Sequence, residues 1–197
     1  MAMPEHDPLV QALSSRFPEE EAACLRRLVL DCFREVNPRY EDVDISGENK
    51  DECLLEAFEE RIVVPARSGP GGGWNDRSLR LEAGEYYTMP PVVWHFMRLA
   101  QAHGRFLPDQ ALHEALSTVL GEDTEQSASL IREARKHVTR HYFEAGLFAV
   151  LARNLELDLD LHETLDRYVL LGIASPYAKG DVNTGLAWYE INPCLFW

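Results

Sequence analysis

With 197 residues, 46% of them apolar and 10% aromatic, the chain holds enough hydrophobic material for one large folded domain or two small ones, which excludes a disordered tail. Thirty-three acidic residues against 19 basic ones give a formal charge of -14, a field that repels nucleic-acid phosphates unless a local basic surface overrides it. No stretch approaches the roughly 18 apolar residues of a membrane helix, and the opening MAMPEHDPLV has neither the basic start nor the apolar run of a secretory signal, so no membrane partner and a cytoplasmic location are expected.

Two helices are predicted first. DPLVQALSSRF has helical spacing, and FPEEEAACLRRLVLDCFREVN shows it more cleanly, with Pro18 at its start, acids in its first turn and an apolar stripe of Leu25, Leu28, Leu30, Cys32 and Phe33. NPRYEDVDISGENK reads as a connection with a short strand at Val43–Ile45, after which Asn49 or Asp51 would cap a helix bearing Leu54, Leu55, Phe58 and Ile62. GPGGG forbids regular structure, and RSLRLEAGEYYTMP alternates as a strand pair turning at Ala83-Gly84.

Pro90-Pro91 makes the best boundary in the chain, dividing residues 1–90 from 91–197. Beyond it VVWHFMRLAQAHG and PDQALHEALSTVLG are predicted helices, the second opening with proline and an acid and closing on glycine. TEQSASLIREARKHVTRHYFEAGLFAVLARNL is helical in period with a break expected near Gly146. LHETLDRYVLLGI and a hairpin containing GDVNTG then close the chain. Residues 92–150 have helices to spare and leave room for a further unit of the same kind.

One pattern occurs twice: an acidic amphipathic helix, an Ile-x-x-Pro exit, a glycine-containing turn and an aromatic strand ending at proline. A shift of 111 positions superposes Leu54 on Leu165, Phe58 on Val169, Ile62 on Ile173 and Pro65 on Pro176, with loops of unequal length beyond. Divergent duplication and coincidence both account for it at this level, since apolar helix spacing recurs in any pair of amphipathic helices. A helix feeding a two-stranded hairpin is the closing half of a winged-helix domain, and over residues 19–90 and 138–193 the chain resembles the winged-helix superfamily in element order. The resemblance implies a mainly α fold with small β-hairpins (α+β), built as tandem winged-helix-like domains packed together.

Many winged-helix proteins bind DNA, and acidic tandem forms resemble those that serve as assembly subunits in chromosome-condensing or membrane-sorting complexes. DNA recognition would place the helix before each hairpin in the major groove, yet the first carries Asp51, Glu52, Glu56, Glu59 and Glu60 against Lys50 and Arg61. The expected function is therefore a non-enzymatic adaptor that holds a protein partner with a basic surface. Glu56 and Glu59 would contact that partner, together with the aromatics Trp74, Tyr87, Trp188 and Trp197. Strand alternation makes Tyr86 and Tyr87 face opposite sides, so that burial of one exposes the other.

Two alternatives come from one stretch. Arg132, Arg135, Lys136 and Arg140 would grip phosphate if residues 132–141 formed one helix, since 132, 136 and 140 then share a face; pairing with the chain's own acids is the competing reading. His137 and His141 share the i, i+4 spacing of two metal ligands, with Glu144 a turn further, which would suit a metal-dependent enzyme; no H-E-x-x-H accompanies them, and no metal or other cofactor is expected. Cys24, Cys32, Cys53 and Cys194 form no C-x-x-C pair and read as buried free thiols. Tandem units are compatible with a homo-oligomer.

Overall fold

The structure is a computed structural model that describes residues 7–45, 49–67, 73–120, 124–138, 140–178 and 187–197. Helix α1 (Pro8–Ser14) starts where the Asp7 carboxylate accepts the amides of Leu9 and Val10 at 3.0 and 3.2 Å, and the same carboxylate receives Arg26 Nε at 2.6 Å from α2 (Glu19–Arg34). Helix α2 buries Ala22, Leu25, Leu28, Val29 and Cys32, and α3 (Asn49–Glu59) lays Cys53, Leu54 and Ala57 against it.

The strands that follow are short. β1 (Val64–Pro65) pairs antiparallel with β2 (Tyr87–Thr88), Pro65 opposite Tyr87, and a single bridge joins Arg39 to Tyr86. Residues 78–81 join no strand, unlike the expected pair turning at Ala83-Gly84. Their backbone is held instead by side chains: the Tyr87 hydroxyl donates to the Arg80 carbonyl, and Leu79 and Leu81 pack on the core. Apart from Gly73, the GPGGG segment lies outside the described residues, as does the GDVNTG turn.

Helices α4 (Pro91–His103), α5 (Pro108–Leu120) and α6 (Thr124–Ala134) pack in succession. The break expected near Gly146 in the helical stretch 124–154 comes earlier. α6 stops at Ala134, Arg140 and His141 adopt positive φ of 53° and 69°, and β3 (Tyr142–Glu144) intervenes before α7 (Ala145–Asn154), which contains Gly146. The reason is a partner distant in sequence, since β3 pairs with β5 (Trp188–Ile191) and a ladder of backbone bonds outweighs local helical period. β5 also pairs with β4 (Ala174–Ala178), giving the order β3-β5-β4, and α8 (Leu161–Leu170) leads into β4 from an Asp160 cap. On the inner face Phe143 stacks on Tyr189 and packs against Phe148, whose ring meets Tyr168.

The 111-residue repeat is visible in backbone hydrogen bonds. Arg61 and Gly172 both leave their helices at positive φ, 56° and 66°. Arg61 N donates to Phe58 O and Gly172 N to Val169 O, each at 3.1 Å; Ile62 N donates to Ala57 O at 2.8 Å and Ile173 N to Tyr168 O at 2.9 Å. Both exits enter a strand whose proline faces a tyrosine, Pro65 opposite Tyr87 and Pro176 opposite Tyr189.

The halves are joined reciprocally at these exits. Val92 N, just past the first hairpin, donates to Leu171 O at 2.9 Å, while Asn192 Nδ2, just past the second, donates to Arg61 O and Gly172 O at 3.4 and 3.3 Å. Arg61 and Glu190 form an ion pair with both side chains more than nine-tenths buried, Nε to Oε1 at 3.1 Å, and Asn75 bridges the two groups. Trp74 N donates to Ser175 Oγ at 2.8 Å. One hydrophobic core runs through both halves, from Leu9 to Leu195. The molecule is mainly helical with small antiparallel sheets, and no helix among the described residues is long and apolar enough to cross a membrane.

Candidate functional site

A cleft of about 570 Å³ opens between the N-terminal half of α2 and the length of α3. α2 contributes Glu19, Glu20 and Glu21 to one wall, and α3 contributes Glu52, Glu56 and Glu59 to the other, with Leu25, Cys24, Cys53 and Leu55 also lining it. Among the described residues, no lysine or arginine lines this cleft. A second space of about 490 Å³ shares Glu19, Glu20, Cys24 and Asn49 with it and continues toward Arg27 and Ile45.

Local rules explain one wall better than the other. Glu19, Glu20 and Glu21 occupy the first turn of α2, where the helix dipole favours negative charge. Glu56 and Glu59 sit in the last turn of α3, where the dipole opposes them and no basic residue offsets them. Glu52, Glu56 and Glu59 fall at i, i+4 and i+7, so they form one stripe along α3. None of the six glutamates makes an ion pair among the described residues, whereas Glu114, Glu125, Glu133 and Glu163 elsewhere are each held by a basic side chain. The Glu56 carboxyl is pushed above the ordinary glutamate range by partial burial, reinforced by the charges of Glu21, Glu59 and Glu60. Burial, with smaller contributions from Cys24, Glu56 and Glu21, raises the Cys53 thiol to about 12, so this sulfur is a protonated, apolar part of the floor. Leu55 is 47% exposed on the same helix.

The aromatic residues separate into inside and outside. Trp74 and Tyr87 are interior, and the pair Tyr86/Tyr87 resolves with Tyr87 fully buried and Tyr86 half-buried beneath the Arg39 guanidinium. Trp197 is half-buried among Phe17, Phe96 and Phe106, with Arg16 over its ring. Trp188 is 42% exposed on β5, next to Ala178 across the ladder.

The basic stretch 132–141 does not form one face, because α6 ends at Ala134. Arg132 pairs with Glu125, Arg135 with Asp109 and the Leu195 carbonyl, and Lys136 with Glu133 at 2.6 Å; Arg140 is exposed on the positive-φ turn. His137 lies 3.1 Å from Glu133, whereas the His141 ring packs on Phe196 and burial lowers its pKa. Among the described residues no group of three or more histidine, cysteine or acidic side chains is placed to hold a metal ion.

Sequence reading found the α3 wall and missed the α2 wall, whose three acids look like ordinary first-turn residues. It also missed the Arg61–Glu190 pair. The available signal was that Arg61 stands where the second copy has Gly172, a substitution that costs backbone strain unless the side chain makes a contact. Comparison with protein-family models, curated proteins and solved structures finds no match for this chain.

Proposed function

We propose that this chain is a non-enzymatic adaptor of tandem winged-helix form that holds a protein partner with a basic surface. The order α6-β3-α7-α8-β4-β5 with sheet order β3-β5-β4 supports a winged-helix reading of the second half. The first half follows with a reduced version: α2, the Arg39 bridge, α3, β1 and β2, linked to the second by the matching helix exits. Its division at residues 1–90 and 91–197 belongs to the same reading. Four free cysteines suit a reducing compartment such as the cytoplasm.

The observation that carries the proposal is the unpaired acidic stripe on α3. In a winged helix that reads DNA, the helix before the hairpin meets phosphates and base edges with basic and amide side chains. Here that helix offers Glu52, Glu56 and Glu59 with no paired cation among the described residues, a surface that repels a phosphate backbone and selects positive charge. The test is a pull-down from native lysate with tagged full-length chain, with and without nuclease, read by mass spectrometry. A stoichiometric protein partner that survives nuclease and is lost with Glu52→Lys/Glu56→Lys supports the proposal; recovery of nucleic acid alone, or of proteins all lost with nuclease, overturns it.

A further inference from the structure

The α2–α3 groove also specifies the form of what it holds. Resting on the adaptor reading, we infer that the groove is a docking site for a short amphipathic helix of the partner, apolar along one stripe and rich in lysine or arginine on both flanks of that stripe.

Three observations lead there. The first is charge: both walls are acidic, none of the six glutamates has an ion-pair partner among the described residues, and the Glu56 carboxyl is raised by burial, with the charges of Glu21, Glu59 and Glu60 adding to it. Elsewhere Glu114 is held by Arg98 and Glu163 by Arg167, whereas the six glutamates lining this one groove concentrate negative charge with no paired base among the described residues. The chain's charge of -14 opposes a second copy of itself as occupant.

The second is the floor. Beneath the glutamates Leu25 and Cys53 are buried, Cys24 is half-buried, and Leu55 is 47% exposed at the rim, an apolar edge that a cation alone would leave wet. An occupant must therefore bring an apolar stripe as well as charge. The third is the backbone. The two walls are helices whose interior amides and carbonyls are already bonded within each helix, so they offer no ladder on which an extended peptide could pair. A helix satisfies its own backbone and meets such walls through side chains, with interaxial distances of about 8–10 Å. Glu52, Glu56 and Glu59 span two turns, which a basic series at the same i, i+4, i+7 spacing on a helix of about three turns would match.

The test uses the full chain and two synthetic 15-residue peptides of identical lysine and leucine content, one with leucines on a single helical stripe and lysines flanking it, the other scrambled. Titration calorimetry, peptide helicity by circular dichroism and backbone amide shifts are measured together. The inference expects the patterned peptide to bind at least about tenfold more tightly than the scrambled one and to become helical on binding, with shifts confined to residues 18–25 and 49–59. It expects Glu52→Gln/Glu56→Gln/Glu59→Gln to weaken binding by about tenfold or more. The control Glu125→Gln/Glu133→Gln/Glu163→Gln, with the same charge change elsewhere, is expected to leave binding as it was. Equal binding of the two peptides, shifts outside the groove, or equal loss in the control would overturn it. The adaptor reading fails separately: a nuclease-resistant partner lost with Glu52→Lys/Glu56→Lys, found together with equal binding of the two peptides, preserves it while removing the helical occupant, and absence of such a partner removes it.

Discussion

Arg61 adopts the left-handed conformation that Gly172 adopts at the corresponding helix exit, and an L side chain there costs about 1–2 kcal/mol. Its guanidinium offsets that cost by reaching Glu190 and Asn75 in the interior between the halves. Arg61→Ala leaves the Glu190 carboxylate buried without its cation, so a loss of about 3–5 kcal/mol is expected from urea unfolding. Arg61→Gly loses the same ion pair but relaxes the backbone, and is expected to unfold at higher urea than Arg61→Ala by the equivalent of roughly 1 kcal/mol. If the two variants are equally stable, strain at this exit is not being carried. Glu56 gives a prediction of the opposite sign. Its carboxyl is raised in the folded state, so the charged form opposes folding at neutral pH, and the penalty disappears as pH falls through its folded pKa toward the ordinary glutamate value. Glu56→Gln is therefore expected to raise the melting temperature at pH 7, with the gain shrinking as pH falls toward the ordinary glutamate value of 4.5 and lost below it. A gain that is constant with pH would mean the carboxyl is not raised in the folded state. Glu56 stood out in the sequence as part of the acidic helix, but Trp74 and Tyr87 show the limit of such reading: their burial depends on what packs over them, which residue type does not state.

The elements that matter most for the architecture are the two helix exits. Sequence legibility was high here, because an isoleucine and a proline at fixed distance from an amphipathic helix reflect local geometry: the positive-φ turn, the bond from the isoleucine amide back into the helix, and the short strand that contains the proline. What lies across from each exit was not legible. A Cβ on Gly172 would stand 2.4 Å from Pro90 Cβ and 3.3 Å from its Cα, so Gly172→Ala combines backbone strain with a clash at the junction of the halves. A destabilisation of about 2–4 kcal/mol is expected, against about 1 kcal/mol for Gly84→Ala, where the φ is also positive but nothing lies within 4 Å. Thermal unfolding of the two variants side by side distinguishes junction packing from turn geometry; equal losses would remove the junction from the account. The interruption of 124–154 by β3 belongs at this scale too, since helical period persists in the sequence while the backbone is recruited by β5.

Across the whole molecule the halves share one hydrophobic core, a buried ion pair and reciprocal contacts past each hairpin. Such coupling leaves each half with exposed apolar surface and an unpaired buried charge if the other opens. A single cooperative transition is therefore expected, with tryptophan fluorescence and far-UV circular dichroism coincident through urea unfolding. Two separated transitions would show that the halves are stable independently and that their interface contributes little.

The sequence by itself determined the helices, the repeated exits and the acidic stripe on α3, because each is written in residues less than a few turns apart and in the charge they carry. It also determined that α6 would be followed by basic residues, but not that Arg132, Arg135 and Lys136 would be taken up by Glu125, Asp109 and Glu133. Tertiary structure alone decided that pairing, the strand order β3-β5-β4, the burial of Tyr87 in place of Tyr86, and the meeting of Glu19–Glu21 with Glu52, Glu56 and Glu59 across one groove. The physical reason is range. Helix propensity and turn chemistry act over a few residues, whereas burial, ladder pairing and the field at a carboxylate depend on groups brought together from distant parts of the chain.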